Sequence, residues 1–391
     1  MFFEKRHDII QLSDILEGKG LDYSAKKGYI MSNYIKDVHL YSAVSKMSRP
    51  IADATHEISD IKFYVVELVT EKGIKGQGYL LSFHYSPEAI EGALKDLKRF
   101  LTENRFEVNE MIRMKQLYEV ECEYFGNPGL LRWAQAAANV AMWDAWAKTL
   151  GQPIWKLLGS NGKKIPVYGS GGWLNYTDEE LLDEVCGYKA RGFTAVKVKV
   201  GSPDIERDLR RMRMVREAIG DSMRIMIDAN QGMDVPSAIK LSNLAKDIGI
   251  HWFEEPVANT DFAGYETIRA KTGISLAMGE REYSDTALLD LIRRNALDLW
   301  QPDIIRIGGV EAWRESAALA NAYHIPCLPH YYKDYDVPLL ATIANPCGAE
   351  SFDWIDGIID STMRIENGYA ILRDGAGWGF NFREECLTPI K

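Results

Sequence analysis

The sequence predicts an α/β fold: a barrel of parallel strands, each followed by a helix, attached to a smaller α+β module. Three observations carry this. Short β-like runs alternate with amphipathic stretches between residues 195 and 330, and most runs end at or near a charged residue: Lys197 and Lys199, then Asp228, Glu254, Glu280, Asp303 and His330. From Asp228 onward those residues are 26, 26, 23 and 27 positions apart, the length of one strand, one helix and two short loops. Ahead of the series lie three strand-like runs followed by helices, the order of an α+β unit.

Composition narrows the class. A chain of 391 residues can hold two domains, or one barrel with an attachment. Hydrophobic content of 46% and charged content of 26% are those of an ordinary globular protein. A net charge of −10 speaks against nucleic acid and anionic membranes as partners. No apolar run approaches the length of a bilayer span. The opening MFFEKRHDIIQL carries charges where an export signal needs an apolar core, so a cytoplasmic location is expected. Cys122, Cys186, Cys327, Cys347 and Cys386 are scattered, odd in number and without metal-type spacing, which predicts free thiols.

Residues 1–33 mix charge with short apolar pieces and read as an appendage without visible chemistry. In the stretch 34–155 the runs VHLYSAV, IKFYVVELVT and IKGQGYLLSF read as strands, the last two joined as a hairpin by Glu71-Lys72-Gly73. Helices are predicted from Pro87 to Leu101 and from Glu107 to Glu119. After the break at Asn127-Pro128-Gly129, an Ala-rich helix runs from Leu130 to Leu150. Its Ala134, Ala137, Ala138 and Ala141 predict close packing on neighbouring helices, and its Trp143 and Asp144 read as structural. The barrel is assigned to 156–355, with strands at VYGSG, AVKVKV, RIMIDA, IHWFE, ISLAMG, LDLWQPD, IPCLPH and Ala349–Trp354. Helices such as Ile205–Ile219 and Val235–Ile248 separate them. The segment 356–391 is expected to form a hairpin around Asp374-Gly375 and to return toward the N-terminal module.

Charged residues at the carboxyl ends of successive barrel strands converge on one face, where such barrels build active sites. Asp228, Glu254 and Glu280 would repel one another there unless a cation sat between them. Oxygen-only ligation favours a hard divalent ion, magnesium first and manganese as the alternative. Lys197 and Lys199, two apart on one strand, project from the same inward face. Their mutual repulsion predicts a lowered pKa for at least one, which suits a base near neutral pH. Asp303 and His330 stand at the ends of adjacent strands, within reach of each other; a carboxylate on one imidazole nitrogen leaves the other to move a proton. A metal, a lysine on one side and a histidine on the other are equipment for removing a proton next to a carboxylate.

With those residues in view the sequence resembles the enolase superfamily, specifically its mandelate racemase subgroup. The matching pieces are KVK at 197–199, IDAN at 227–230, FEEP at 253–256, MGE at 278–280, QPD at 301–303, IGGV at 307–310 and PH at 329–330, with AMWDAWAKTLGQPIWKLLG linking the N-terminal module to the barrel. The resemblance implies a modified TIM barrel, (β/α)7β, with an α+β capping domain completed by the C-terminal segment, and a homo-oligomer. It implies Asp228, Glu254 and Glu280 as magnesium ligands, Lys199 and the His330–Asp303 dyad as the acid/bases, and Lys197 as electrostatic helper to a substrate carboxylate. Glu350 matches a carboxylate that hydrogen-bonds the enediolate in mandelate racemase. Ser170 matches a substrate contact, and Glu255 is assigned to the surroundings of the metal.

Substrate and reaction class follow less directly. Arg49, His56 and His84 fall in loops that cover the substrate in relatives, and Arg281 and Lys333 lie beside the barrel-mouth series. The polar ADATHEIS loop favours a polyhydroxylated acid. The surplus of cationic side chains favours a diacid sugar, whose second carboxylate would pair with them. The expected activity is therefore dehydration of an acid sugar, a small-molecule carboxylate. A racemase or epimerase of a 2-hydroxy acid would use the same residues; a cycloisomerase and a non-catalytic sensor are the further alternatives.

Overall fold

The computed structural model describes residues 33–160, 162 and 164–391. The appendage reading for 1–33 therefore lies outside the described residues, apart from Asn33. The capping elements are strands β1 (Ile35–Ser45), β2 (Ile51–Ala52), β3 (Glu57–Ile58), β4 (Ile61–Thr70) and β5 (Lys75–Ser82), then helices α1 (Pro87–Glu103), α2 (Met111–Glu121) and α3 (Leu130–Thr149). β1, β4 and β5 form an antiparallel sheet, joined at its edge by β15 (Thr388–Pro389) from the far end of the chain. Ala137 and Ala141 of α3 pack on this sheet, and the helix also lies against α1 and α2, as expected. A side chain at Gly76 or Gly78 of β5 would collide with the α3 backbone at Ala141 and Ala137, at 2.3 and 2.1 Å. Small residues on both sides let helix and strand touch. Asp144 is structural as expected, accepting the backbone N–H groups of Gln77 (2.9 Å) and Trp378 (3.0 Å).

After the single turn α4 (Ile154–Leu157) the barrel runs β6 (Ile165–Gly171), α5 (Asp178–Ala190), β7 (Ala195–Lys199), α6 (Ile205–Ile219), β8 (Arg224–Asp228), α7 (Val235–Leu244), β9 (Ile250–Glu254) and α8 (Phe262–Thr272). It continues with β10 (Leu276–Met278), α9 (Asp285–Arg293), β11 (Leu299–Trp300), α10 (Ile304–Ile307), α11 (Val310–Ala322), α12 (Lys333–Leu340) and β12 (Ala349–Ser351). The strands pair in parallel in chain order, and β12 returns to β6. IPCLPH fills the seventh place through Cys327 alone, which bridges Trp300 on one side and Pro346 on the other. Pro326 and Pro329 lack the N–H groups a longer ladder needs. No α-helix follows β12, which makes the barrel a (β/α)7β variant.

The expected hairpin at Asp374-Gly375 is not there. The hairpin is β13 (Ile365–Glu366) and β14 (Tyr369–Ala370), turning at Asn367 and Gly368, whose φ values of 50° and 74° suit a tight two-residue turn. β14 pairs with the first residues of β6, at the barrel's lower rim. The chain then does return to the capping sheet: the Phe382 N–H donates to Gln77 (2.8 Å) and the Ile390 N–H to the Leu40 carbonyl (2.9 Å). Tyr34–Lys391 form one compact unit. Within it the Tyr332 and Tyr335 hydroxyls accept the Leu81 and Tyr79 N–H groups at 2.8 and 2.9 Å, fixing the capping sheet to the seventh barrel loop. All five cysteines are free thiols. Among the described residues no helix is long and apolar enough to cross a membrane.

Candidate active site

A cavity of about 450 Å³ opens between the carboxyl ends of the barrel strands and the capping loops. Lys197, Lys199, Asp228, Glu280, Asp303, His330 and Glu350 line it, while Glu254 is fully buried. The strand period explains the convergence. Lys199 pairs in register with Asp228 and Asp228 with Glu254, so neighbouring strands deliver them at one height. Glu280 follows Gly279, where φ is 141° and any side chain would strike the Trp300 ring. That glycine lets the chain bend over the top of β11.

Charge is dense and internally paired. Lys199 Nζ lies 2.6 Å from Asp228 Oδ2; Lys197 Nζ is 2.8 Å from Glu254 and 2.7 Å from Glu350. His330 Nδ1 meets Asp303 Oδ2 at 2.8 Å and Nε2 faces Glu280 at 3.5 Å, so the expected dyad forms. The Asp303 carboxylate also accepts the Ile305 and Arg306 N–H groups at 2.8 and 2.9 Å, which locks its orientation. Gln301 Nε2 donates to Glu254 at 2.8 Å. Asn230, Gln231, Glu255 and Tyr331 all have positive φ, a concentration of backbone strain at the mouth.

The expected lowering of a lysine pKa is not what the surroundings produce. Burial disfavours the Lys197 ammonium, but Glu254, Glu350 and Asp228 outweigh burial and hold it well above the ordinary lysine range. Burial likewise opposes the Lys199 ammonium, and so does Lys197, but Asp228, Asp53 and Glu254 raise it overall. The carboxylates outnumber the two lysines. Burial raises the Glu254 carboxyl well above its usual value, and despite Lys197 the neighbouring Asp228, Glu350 and Glu280 add to the rise. Burial acts the same way on Glu350, but Lys197, His330 and Lys199 overcome it and bring the group to about 2. Glu350 is thus an anion holding Lys197 and accepting the Tyr331 N–H (2.9 Å), not a carboxylic acid ready to donate.

Among the described residues no three His, Cys, Asp or Glu side chains close on a common metal position; each expected ligand is held by a cationic side chain. The donor set nevertheless fits a hard divalent cation. Three carboxylates stand at the ends of consecutive strands, and Glu254 feels the other two as repulsion.

The substrate-contact expectations divide. His56 and Arg281 line the cavity. Arg281 pairs with Glu255 in a very short contact and with Glu280 at 2.9 Å, so it is neutralised within the protein. Arg49, His84, Lys333 and Ser170 are not among the lining residues. Arg49 is held outside by Glu180 and by the Asn175 carbonyl at 2.8 Å. His84 packs on the Tyr85 ring at 4.1 Å and lies 3.2 Å from the Ser59 hydroxyl. Lys333 is buried against Asp353 (3.0 Å) and Asp356 (3.4 Å). Ser170, level with Lys197 in the strand register, is buried at 2% exposure with its hydroxyl unpartnered.

Sequence reasoning passed over Asp53, Trp173, Tyr331, Phe352 and Trp354, which also line the cavity. Asp53 Oδ1 accepts the N–H groups of Thr55 (2.8 Å) and His56 (2.7 Å). Burial would raise its pKa, but His56, Lys199 and Thr55 hold it at about 2. The loop carrying it sits directly on the barrel. Thr55 Oγ1 donates to the Asn230 carbonyl at 3.1 Å, and Ala54 lies where a side chain at Gly201 or Gly232 would be, 2.9 and 2.4 Å from such a Cβ. The ADATHEIS stretch signalled a polar loop; nothing in it signalled the glycines that seat it.

Comparison with known proteins agrees with this architecture. Residues 36–159 match the N-terminal domain of the mandelate racemase/muconate lactonizing enzyme family, and residues 180–386 match the enolase C-terminal domain-like family. The chain is 28% identical to the L-talarate/galactarate dehydratase of Salmonella typhimurium over 90% of both chains. It is 27% identical to the arabinonate dehydratase of Saccharolobus solfataricus over 85% of this chain and 91% of that one. A crystal structure of an L-talarate/galactarate dehydratase mutant liganded with Mg and L-glucarate superposes with a TM-score of 0.87, at 26% identity, covering 94% of each chain.

Proposed function

The chain belongs to the mandelate racemase/muconate lactonizing enzyme group of the enolase superfamily, and on that premise we propose that it is a magnesium-dependent acid sugar dehydratase. The observation that carries the reading is that Lys199 and the His330–Asp303 dyad line one cavity together with the carboxylates of Asp228 and Glu280. Relatives that match most of the chain include dehydratases of acid sugars, one of them crystallised with Mg and L-glucarate, alongside a cycloisomerase.

Asp228, Glu254 and Glu280 would hold the magnesium ion, which supplies positive charge to the substrate carboxylate and so stabilises the enediolate. Lys197, kept cationic by Glu254 and Glu350, offers a second positive charge to that carboxylate. Lys199 Nζ and His330 Nε2 are the two groups able to move a proton. One takes the α-proton, and His330 Nε2 returns a proton to the departing β-hydroxyl, its other nitrogen tied to Asp303. A β-hydroxyl lost with the α-proton gives an enol that becomes a 2-keto acid, with water as the second product.

The expectation of a diacid rested on free cations at the barrel mouth. Arg281, Arg49 and Lys333 are all paired within the protein, so that argument loses its support. Self-association belongs to the proposal as well. Ile112, Val120, Tyr124 and Phe125 on and after α2 are exposed large apolar side chains that give it a surface, to be read by light scattering.

The test is a screen of acid sugars with magnesium, read for 2-keto acid and for exchange of the α-proton with deuterated solvent. Keto acid formation is expected. Inverted configuration without keto acid would mark a racemase or epimerase instead, and neither product nor exchange from any acid sugar would reject the assignment.

A further inference from the structure

Above the charged ring the cavity has a second wall to which the reaction assigns no task. Trp173, Tyr331, Phe352 and Trp354 reach it from the loops after the first, seventh and eighth strands. Trp173 and Trp354 stack at 6.0 Å with 25° between their planes, and Phe352 and Trp354 at 4.2 Å and 20°. Phe83 of the capping domain meets Trp354 edge-on at 6.0 Å. Such a wall takes the C–H face of a sugar chain and offers no charge to an anion. The capping loop brings the Asp53–His56 pair into the same cavity, with 3.2 Å between Oδ1 and Nδ1.

Carboxylates outside the expected metal ligands also hold the groups lining the cavity: Arg281 has Glu255, Lys197 has Glu350, and the imidazoles of His330 and His56 face Asp303 and Asp53. We infer that the substrate carries a single carboxylate, that its uncharged hydroxylated tail lies between the aromatic wall and the Asp53–His56 pair, and that Asp53 turns away a second carboxylate.

This inference rests on the acid sugar reading above and narrows it. A carboxylate at the far end of the substrate would lie against the aromatic wall and beside the Asp53 carboxylate, with the Arg281 guanidinium already held by Glu255. A hydroxyl suffers neither penalty: it donates to Asp53, accepts from His56, or does both. Asp53 is held for this task, because Oδ1 is fixed by the Thr55 and His56 N–H groups while Oδ2 has only a long 3.3 Å approach from His56.

The experiment compares hexonates with hexarates of the same configuration, in the presence of magnesium, for wild type and Asp53→Asn. Asparagine keeps an acceptor for the Thr55 and His56 N–H groups, so the loop is preserved. Turnover and calorimetric binding are read together. In wild type the hexonate is expected to exceed its hexarate by about a hundredfold in kcat/KM and to bind with a Kd about a hundredfold lower, and Asp53→Asn should shrink that gap about tenfold. A hexarate bound and converted as well as its hexonate overturns the inference and leaves the dehydratase reading standing. A gap unchanged in Asp53→Asn removes Asp53 from it. A hexonate bound selectively but never converted overturns the dehydratase reading and supports the single carboxylate; binding of neither overturns both.

Discussion

The two sides of the cavity solve opposite problems. The barrel side places charge where water is excluded: Lys197, Lys199, Asp228, Glu254, Glu280 and Glu350 are all at or below 5% exposure. It can do so because each charge has an opposite one close by, mounted on a strand that cannot move. The capping side is built from loops: those after the first, seventh and eighth strands fill its share with aromatic side chains, and the capping loop that carries Asp53 is seated on the barrel through glycines. Buried charge on a rigid frame suits proton transfer, where misplacement by an ångström is costly. Apolar packing on loops suits recognition of a tail that need not react. The division assigns chemistry to one side and choice of substrate to the other, and each variant below loads one side alone.

The largest effects are expected on the barrel side. Glu280→Gln should lower kcat about a thousandfold or more while leaving a single cooperative unfolding transition, because the barrel core lies below the strand ends. Chelation should abolish turnover in wild type, and added magnesium should restore it; turnover that survives chelation would contradict the metal assignment. Lys199→Ala and His330→Asn should each reduce dehydration by about a hundred- to ten-thousandfold. One of them can keep α-proton exchange with solvent, since the other base remains. Full activity in either variant would break the division at its centre.

How much of this was legible in the sequence follows the same line. Asp228, Glu254, Glu280, Asp303 and His330 were found because strand and helix lengths repeat, and a residue at a strand end inherits its position from the period. The loops have no period. Arg281 read as a free cation because the alternation of a strand would send Glu255 away from it; the positive φ of Glu255, 38°, belongs to a bend that the letters do not show. The misplaced hairpin is a similar case. Both Asn367-Gly368 and Asp374-Gly375 can turn, but only the first has a neighbouring strand, β6, to receive it. The seventh strand was over-read, although the prolines flanking Cys327 and Leu328 limited its ladder in plain view. The aromatic wall was invisible for a different reason: its members are 181 residues apart along the chain at the extremes, Trp173 to Trp354, and each alone reads as core.

The capping side should respond more gently. Gly232→Ala puts a Cβ 2.4 Å from that of Ala54 and so lifts the loop that carries Asp53 and His56. A loss of about ten- to a hundredfold in kcat/KM is expected, carried mainly by KM, with the melting temperature nearly unchanged because the loop is peripheral to both cores. A loss confined to kcat would instead mean that the loop positions the bases, and the separation of tasks would fail.

The smallest effect concerns a half-buried acid that lacks the close counter-charge found throughout the barrel mouth. Glu184 on α5 accepts the Gly172 N–H at 2.5 Å, beneath the loop that leads to Trp173. Burial raises its pKa to about 7, and the Gly172 and Tyr176 hydrogen bonds and the charge of Arg211 only partly oppose the rise. The ordinary value is 4.5, so between about 4.5 and 7 the folded state binds the proton that the unfolded state releases. Folded stability must therefore fall as pH rises through that window, by about 2–3 kcal/mol once above it. Glu184→Gln carries no charge to bury and can still accept from Gly172. The variant should match wild type in urea unfolding at pH 4.5 and exceed it at pH 8. A variant weaker than wild type at pH 8 would show that the Gly172 contact more than compensates the burial of this carboxylate, and that charge without a close counter-ion is tolerated here after all.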